Sequence, residues 1–145
     1  MSEVRKIDVI IPTYHPDEKL EKCLRMLKRQ TVQPQKILLI NTEEEFFHSK
    51  VFSTVKQGEI VHITKPEFDH GGTRNQAASM CDGDIMILLT QDAIPADEHL
   101  IENLIKPFED KEVCAAYGRQ MADKKDNPIE AYTRIFNYPK ESRIK

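Results

Sequence analysis

The sequence predicts an α/β fold in which a mostly parallel central sheet is covered by helices on both faces, as a three-layer sandwich. Segments with strand-type and helix-type patterns alternate along the chain, which is the order that parallel βαβ units produce. The strand-type segments are continuously apolar, as expected for strands buried on both faces. No internal repeat interrupts this order, so the 145 residues are expected to form one domain, 1–145.

The first four segments follow from local patterns. An apolar run that Pro12 ends predicts the first strand. The next segment has Leu20, Leu24 and Leu27 at helical spacing, with acidic residues at its start and basic residues at its end, the charge order that a helix dipole favours. A second strand and a short helix closed by Gly58 come next. These strand, helix, strand and helix segments span 6–14, 15–30, 36–42 and 43–58.

The remaining segments continue the alternation. They are strand 59–64, helix 73–80, strand 85–90, helix 95–108, strand 112–118 and helix 127–136. Asp97 stands where it would cap the helix over 95–108. Leu100, Ile101 and Leu104 give that helix one apolar face.

Composition excludes several classes of protein. The net charge of −3 gives no basic surface for nucleic acid. The apolar runs are far shorter than the ~20 residues that cross a bilayer, and the N-terminus lacks a secretory signal pattern. The cysteines, Cys23, Cys81 and Cys114, have neither zinc nor disulfide spacing, so we expect small core residues in a reducing cytosol. The five histidines show no ligand spacing and are expected to be solvated or structural.

Ligands of parallel α/β sheets bind at the carboxyl ends of the strands, near the switch in strand order. The polar residues expected at that edge belong to Pro12-Thr13-Tyr14, Asn41-Thr42, the loop 65–72 and Thr90-Gln91-Asp92. No GxGxxG follows the first strand and no GxxxxGK[ST] occurs, which argues against a dinucleotide dehydrogenase and a P-loop NTPase.

The glycine pair Gly71-Gly72 precedes the predicted helix 73–80 and has Arg74 beside it. Glycines allow a ligand close to the backbone, and a helix N-terminus with an arginine suits a diphosphate. A tight turn followed by a surface arginine explains the same residues. The sequence leaves both interpretations open.

Two acidic stretches lie at the ends of the fourth strand. Asp82-Gly83-Asp84 has two acids separated by one residue, but it enters the strand. Six residues at about 3.3 Å each put it roughly 20 Å from Asp92, at the opposite edge of the sheet. We therefore interpret it as a turn. Asp92 leaves the strand at the expected ligand edge, where it is either a ligand-binding carboxylate or a simple loop cap.

Five segments follow one another along nearly the whole chain: "VIIPTYH", a helix ending in "LKRQT", "ILLINT", "HGGTRNQA" and "LLTQDAIP". In this order they resemble family 2 glycosyltransferases of the GT-A fold. The segments "HGGTRN", "LTQDA" and "YGRQ" are most similar to bacterial rhamnosyltransferases, which use dTDP-rhamnose. The resemblance implies an inverting transfer of a sugar, rhamnose in the nearest case, from a dTDP- or UDP-linked donor. The acceptor would be a glycan or lipid-linked molecule in surface polysaccharide synthesis. A cytoplasmic location, with peripheral association at the inner face of the membrane through the acceptor, would fit.

The resemblance also implies roles for single residues. Pro12, Thr13 and Tyr14 match the segment that lines the nucleotide base pocket. Asn41 and Thr42 stand where the family usually has an aspartate that contacts the base, so Asn41 is a departure. Gly71, Gly72 and Arg74 match the segment near the pyrophosphate. Together with Gln91 and Asp92 below, these are the expected donor-binding residues.

Asp92 matches the last acid of the family's DxD-like element, which holds a divalent cation on the donor phosphates. Mg²⁺ or Mn²⁺ accepts one or two carboxylates plus phosphate oxygens and water, so one acid is sufficient when the donor supplies the rest. Gln91, in place of a second acid, is expected to hydrogen-bond the ribose or a phosphate.

An inverting transferase needs a general base, and the sequence identifies none. Glu130 is a candidate base, but nothing in its spacing singles it out. Arg119 and Gln120 follow the predicted strand 112–118 and belong either to the acceptor-binding part of the site or to a surface loop. Members of the family run well past 145 residues, so the chain is expected to be the donor-binding part. The alternatives are a non-catalytic nucleotide-sugar-binding module and an α/β interaction domain without a ligand.

Overall fold

The computed structural model describes residues 5–123 and 125–142 and contains the predicted parallel sheet. Its strands are β1 (Ile7–Tyr14), β2 (Lys36–Thr42), β3 (Gly58–Ile63) and β4 (Ile85–Leu88). Its α-helices are α1 (Glu18–Lys28), α2 (His70–Ser79), α3 (Leu100–Ile105) and α4 (Pro128–Asn137). All strand pairs are parallel, in the order β3-β2-β1-β4.

The strand order puts the connections on opposite faces of the sheet. From β1 through β2 to β3 the chain moves in one direction, and from β3 to β4 it returns, so right-handed crossovers place α1 and α2 on different faces. On one face, Lys28 Nζ of α1 donates to Thr54 Oγ1 at 2.7 Å. On the other, Ala77 of α2 packs in a buried cluster with Ile10, Leu38, Ile40 and Ile63. The predicted three layers are confirmed.

Local sequence explains α1 well. Asp17 caps it, accepting a hydrogen bond from Lys19 N at 2.9 Å, and the residues predicted for its apolar face are buried. Pro16 precedes the helix without interrupting it. The hydrophobic period therefore predicted both the helix and its buried side.

The predicted helix over 43–58 is wrong. Two 3₁₀ turns, Glu44–Phe46 and Phe52–Thr54, occupy this segment, and Gly58 begins β3 instead of ending a helix. The Glu21 carboxylate of α1 accepts hydrogen bonds from Ser49 Oγ and, at 3.1 Å, from Val51 N. These tertiary contacts hold the segment in an irregular path that its local pattern does not encode.

The predicted strand over 112–118 is also wrong. The segment makes no ladder of backbone hydrogen bonds in the described chain, and a strand cannot exist without one. Cys114 is exposed and Cys81 half-buried, so only Cys23 is the core residue that we expected. β4 ends at Leu88, two residues early, and its Met86 and Leu88, which share one face of the sheet, are exposed.

The predicted helix over 95–108 is shorter in the structure. Asp97 Oδ1 accepts from His99 N at 2.8 Å, one turn before α3 begins at Leu100. The buried Gln30 explains this delay, since its amide donates to Asp97 O at 2.8 Å and accepts from Ile101 N at 3.0 Å. The chain then continues as a 3₁₀ turn, Lys106–Glu109.

The chain divides into two compact units, 1–105 and 106–145. In the second, Asn127 caps α4 by accepting from Glu130 N at 2.9 Å, and Arg134 pairs with Asp126 at 2.8 Å. α4 leaves Ile129, Tyr132 and Phe136 exposed. Within the described residues, no helix has the length and apolar character needed to span a bilayer.

Candidate functional site

The carboxyl ends of β1 and β2 align the first group of predicted site residues. Parallel register pairs Pro12 with Ile40, Thr13 with Asn41, and Tyr14 with Thr42. Side chains alternate along each strand, so Thr13 and Asn41 lie on the α1 face while Tyr14 and Thr42 lie on the α2 face. Tyr14 is 43% exposed, whereas Thr13, Asn41 and Thr42 are buried.

Asn41 is fully buried, and the protein itself satisfies its amide. Its oxygen accepts from Thr13 Oγ1 at 2.9 Å, and its nitrogen donates to Glu43 O at 3.3 Å. The same nitrogen lies 3.1 Å from His62 Nδ1 on β3. With the amide nitrogen directed at the Glu43 carbonyl, His62 Nδ1 is the acceptor and Nε2 carries the hydrogen. Asn41 therefore joins the ends of three strands.

Thr42 carries a buried hydroxyl for which the described chain offers no hydrogen-bond partner. Its register neighbours are Tyr14 on β1 and Ile63 on β3. Buried polar groups without partners are uncommon, and each calls for an explanation. Among the buried side-chain nitrogen and oxygen atoms of the described residues, the Thr42 hydroxyl is the one without a partner.

Strained backbone follows both strand ends. His15 and Glu43 have φ of 43° and 65°, in the left-handed region that side chains other than glycine seldom adopt. His15 Nε2 lies 3.0 Å from Glu43 Oε2, which joins the two positions, and the His15 ring packs between Tyr14 and Phe46 at centroid distances of 4.2 and 4.0 Å. Such backbone clusters at ligand sites. Sequence analysis missed both residues, because only the conformation distinguishes them.

An open cleft of about 420 Å³ adjoins these residues at the ends of β2 and β3. It is lined by Glu43, Glu44, Glu45, His62, Ile63, Thr64, Lys65 and Pro66. Lys65 Nζ lies 5.7 Å from the centre of the Tyr14 ring, within cation–π range. The cleft thus offers an imidazole, a cation and three carboxylates, and the cation also approaches the Tyr14 ring.

α2 begins three residues before the predicted start at Thr73, so the glycine pair lies in its first turn. The reason is Asp69, whose Oδ2 accepts from Gly72 N at 2.5 Å as the N-cap. A protein carboxylate therefore holds one of the free amides at this helix end. Arg74 Nη1 donates to His70 O at 2.7 Å, so the guanidinium lies against the same turn.

The two glycines are expected to differ sharply when replaced. A Cβ at Gly72 would lie 2.9 Å from Asp69 Oδ2, whereas the nearest atom to a Cβ at Gly71 is 3.7 Å away. Gly72→Ala should lose about 1 kcal/mol of unfolding free energy by displacing the cap. Gly71→Ala, the matched control, should gain about 0.5–1 kcal/mol from helix propensity. Urea unfolding measures both, and equal effects would contradict this account.

Beyond β4, Asp92 lies exposed in the turn Thr90–Ala93, with its Oδ1 accepting from Thr90 Oγ1 at 2.7 Å. No lysine or arginine among the described residues forms an ion pair with it. Nor do the described residues contain a group of three or more potential metal ligands. A single free carboxylate fits Mg²⁺ or Mn²⁺ whose other ligands are phosphate oxygens and water.

Gln91 does not leave its amide free. Its Oε1 accepts from Tyr14 N at 2.8 Å, and its Nε2 donates to Tyr14 O at 3.0 Å. Gln91, which we expect to meet ribose or phosphate, connects the end of β1 to the loop after β4 in the structure. Tyr14 and Asp92 are thereby held at one edge.

Asp82-Gly83-Asp84 lies at the opposite edge, where β4 begins, as geometry predicted. The buried Asp8 carboxylate accepts from Asp82 N at 3.1 Å and Gly83 N at 2.8 Å, while Asp84 accepts from Lys6 N at 2.8 Å. A Cβ at Gly83 would lie 2.9 Å from Asp8 Oδ2, which explains the glycine. These residues form a structural turn.

Cys23 of α1 contacts the loop after Asp92, its Sγ donating to Ala93 O at 3.5 Å. Burial, and secondarily the negative charge of Asp92, raises the pKa of Cys23 to about 12. At pH 8 only about one thiol in ten thousand is therefore ionised, and the thiolate is the reactive form.

Iodoacetamide at pH 8 should consequently label the exposed Cys114 within minutes and leave Cys23 unmodified until urea unfolds the chain. Peptide mass spectrometry measures both sites in one sample. Equal labelling of the two in the native chain would contradict the burial and the raised pKa of Cys23.

The other candidates lie in the second unit. Glu130 is exposed in the first turn of α4, Arg119 Nε donates to Tyr138 O at 3.1 Å, and Gln120 is exposed. No feature of the residues described in this unit, 106–123 and 125–142, singles out a general base. The base stays unassigned.

Known proteins resemble this chain in sequence and in fold. It is 40% identical over 141 residues to the O-antigen chain rhamnosyltransferase RfbN of Salmonella typhimurium, covering 97% of this chain and 45% of that protein. It is 36% identical over 139 residues to the O-antigen chain rhamnosyltransferase WbaN of Salmonella anatum, covering 94% and 44%. The chain thus spans less than half the length of these curated relatives.

Among solved structures, glucosyl-3-phosphoglycerate synthase from Mycobacterium tuberculosis, in complex with Mn²⁺, UDP and glucosyl-3-phosphoglycerate, superposes with a TM-score of 0.54. The identity is 14%, and the match covers 72% of this chain and 39% of that one. At this identity the similarity concerns the fold, and it agrees with the predicted GT-A class. The model of glycosyl transferase family 2 matches residues 8–145, and the chain therefore belongs to that family.

Proposed function

We propose that this chain, as the single domain 1–145, is the donor-binding part of an inverting glycosyltransferase that transfers rhamnose from a dTDP- or UDP-linked donor. The observation that carries the proposal is the exposed, unpaired carboxylate of Asp92, held beside Tyr14 at the ligand edge of a family 2 fold. The similarity to two O-antigen chain rhamnosyltransferases supports the sugar and an acceptor that is a glycan or lipid-linked molecule. Such an acceptor would place the reaction in the cytoplasm, at the inner face of the membrane.

In this proposal the nucleotide lies across the ends of β1 and β2. The exposed Tyr14 ring, with Lys65 beside it, supplies a face on which a pyrimidine can stack. Pro12, Thr13, Asn41 and Thr42 shape the floor beneath it. Because the amide of Asn41 is satisfied internally, we assign it the support of this floor.

The diphosphate lies toward α2 and the turn at Asp92. Gly71 and Gly72 contribute the first turn of α2, and Arg74 contributes positive charge. The departing diphosphate gains negative charge during transfer, and fixed donors and cations at that position lower the barrier. Arg74 would leave the His70 carbonyl to reach it.

Asp92 would hold the divalent cation, Mg²⁺ or Mn²⁺, whose chemistry is to stabilise charge on the diphosphate. Gln91 holds the loop that carries this carboxylate. A solved structure of similar fold contains Mn²⁺ with UDP, which favours a metal-assisted donor site. The acceptor hydroxyl would lose its proton to a base that remains to be found.

Calorimetric titration of the chain with dTDP, UDP and GDP, each with and without Mn²⁺, tests this function. We expect dTDP or UDP to bind, and to bind more tightly with Mn²⁺. Absence of binding by all three nucleotides would overturn the proposal. A donor-hydrolysis assay then distinguishes a transferase part from a non-catalytic nucleotide-sugar-binding module, which would bind without turnover.

A further inference from the structure

The side chain of Gln91 makes two hydrogen bonds to the backbone of a single residue. Tyr14 N donates to Oε1 at 2.8 Å, and Nε2 donates to Tyr14 O at 3.0 Å. A residue in a parallel strand presents its N–H and C=O to the same neighbouring strand, so Gln91 engages Tyr14 as a β-strand would. The side-chain amide imitates a peptide group.

The missing backbone pairing explains why such a substitute is needed. The register of β1 with β4 ends at Ile10 and Leu88, although β1 continues beside β2 to Tyr14. Ile10 O accepts from Leu89 N at 3.0 Å, so the even-numbered residues of β1 face β4. The next even position is Pro12, which has no N–H to donate. Backbone pairing therefore stops before the strand ends.

We infer that Gln91 is a positioning residue, whose amide replaces the lost backbone pairing and sets the distance between Tyr14 and Asp92. This inference rests on the proposed function, in which Tyr14 holds the nucleotide and Asp92 the cation on its diphosphate. The nucleoside of the donor would then lie against Tyr14 and its diphosphate would lie at the cation on Asp92, and the Gln91 side chain connects these two positions. Gln91 acts through these neighbours and does not touch the donor.

The chemistry of the side chain explains why a glutamine occurs where a second acid would be expected. An amide both accepts and donates, and so satisfies the N–H and the C=O of Tyr14. An ionised carboxylate only accepts, and its second oxygen would face the Tyr14 carbonyl oxygen. A second acid at position 91 could not make this pair of hydrogen bonds.

The rest of the turn is held from the other side. Cys23 donates to Ala93 O at 3.5 Å, and Ala93 N donates to Thr90 O at 3.0 Å. With these bonds α1 holds the far end of the turn and Gln91 the near end. Asp92 lies between the two attachments, so loss of the Gln91 bonds frees the carboxylate to move relative to Tyr14.

The test compares Gln91→Met, which keeps the length but loses both hydrogen bonds, with wild type and with Gln76→Met, an exposed glutamine of α2. Each is titrated with dTDP and UDP, with and without Mn²⁺. Gln91→Met should weaken nucleotide binding in Mn²⁺ about tenfold, the effect of two lost hydrogen bonds, and change metal-free binding little. The factor by which Mn²⁺ enhances nucleotide binding should therefore fall. A general loss of stability would weaken binding with and without Mn²⁺ alike and leave this factor unchanged. Gln76→Met should match wild type.

For Gln91→Glu, the positioning role and a metal-ligand role predict opposite changes in Mn²⁺-dependent nucleotide binding. If position 91 were a metal position, a second carboxylate beside Asp92 would strengthen Mn²⁺-dependent binding. If position 91 acts by positioning, Gln91→Glu should weaken Mn²⁺-dependent binding, because glutamate cannot donate a hydrogen bond to Tyr14 O. Hydrogen exchange followed by NMR, without nucleotide, should show the Tyr14 amide exchanging about tenfold faster in Gln91→Met.

The possible failures are distinct. A wild-type chain that binds no nucleoside diphosphate overturns the proposed function, and this inference with it. If wild type binds but Gln91→Met keeps its Mn²⁺ enhancement, or Gln91→Glu binds more tightly, only the inference is overturned. An unchanged exchange rate at Tyr14 would also overturn it. Weaker Mn²⁺-dependent binding together with faster hydrogen exchange at the Tyr14 amide would support the positioning role of Gln91.

Discussion

Asp92→Ala is expected to abolish the Mn²⁺-dependent part of dTDP or UDP binding, a loss of about 100-fold, while leaving metal-free binding nearly unchanged. The reason is that Asp92 lies exposed beside Gln91 at the ligand edge, and it forms no ion pair with a described lysine or arginine. Its carboxylate is therefore available to a cation, and alanine offers no metal ligand in its place. Isothermal titration with and without Mn²⁺ measures both quantities.

The matched control is Asp82→Asn, in the literal DxD at the opposite edge. Its carboxylate bonds to Gln35 Nε2 at 3.0 Å, so the change should leave nucleotide binding unaltered. Asp92→Asn should resemble Asp92→Ala, because a neutral amide is a weak ligand for a hard cation. If Asp82→Asn removed the metal dependence and Asp92→Ala did not, the assignment of the metal edge would be wrong.

Asp8→Ala is expected to lower the free energy of unfolding by about 3 kcal/mol. Asp8 is fully buried, and its carboxylate accepts from Asp82 N, Gly83 N and, at 2.9 Å, Gln35 Nε2. Alanine removes the acceptor and leaves the backbone amides of Asp82 and Gly83 without their protein partner, which costs more than the net gain of an ordinary hydrogen bond. A domain is stable by only ~5–15 kcal/mol, so the effect is large.

Asp84→Ala serves as the matched control for this prediction. Asp84 accepts one exposed hydrogen bond, from Lys6 N at 2.8 Å, and its loss should cost about 1 kcal/mol. Urea unfolding of both variants followed by circular dichroism gives the comparison. Equal destabilisation would show that the buried carboxylate does not organise the turn at the start of β4.

Much of the fold could be predicted from local pattern. Leu20, Leu24 and Leu27 predicted α1 and its buried face, and continuous apolar runs predicted the four strands of the sheet. Because parallel strands end at the same edge of a sheet, the strand pattern also predicted that Tyr14 and Asp92 share one edge. These inferences succeed because hydrophobic periodicity and strand direction are local or topological properties.

The errors share a physical cause. The segment 43–58 resembles a helix, but Glu21 of α1 binds Ser49 and Val51 and holds two separate turns. The segment 112–118 resembles a strand, but it has no ladder partner in the described chain. The start of α2 depended on Asp69 capping at Gly72. Each outcome was decided by partners distant in sequence or by a cap whose pattern was weak.

The α/β class, the family resemblance and the edge at which Asp92 lies all follow from the residue pattern. Which partners the polar residues at that edge bond to depends on how the chain folds. The Asn41 amide is hydrogen-bonded to Thr13 and Glu43, and the Gln91 amide is hydrogen-bonded to the Tyr14 backbone. The physical reason is that residue type specifies which hydrogen bonds a side chain can make, whereas the partner depends on which strand ends the fold brings within 3 Å. Gln91, whose predicted contact is with the ribose or a phosphate, is bonded to the Tyr14 backbone in the structure.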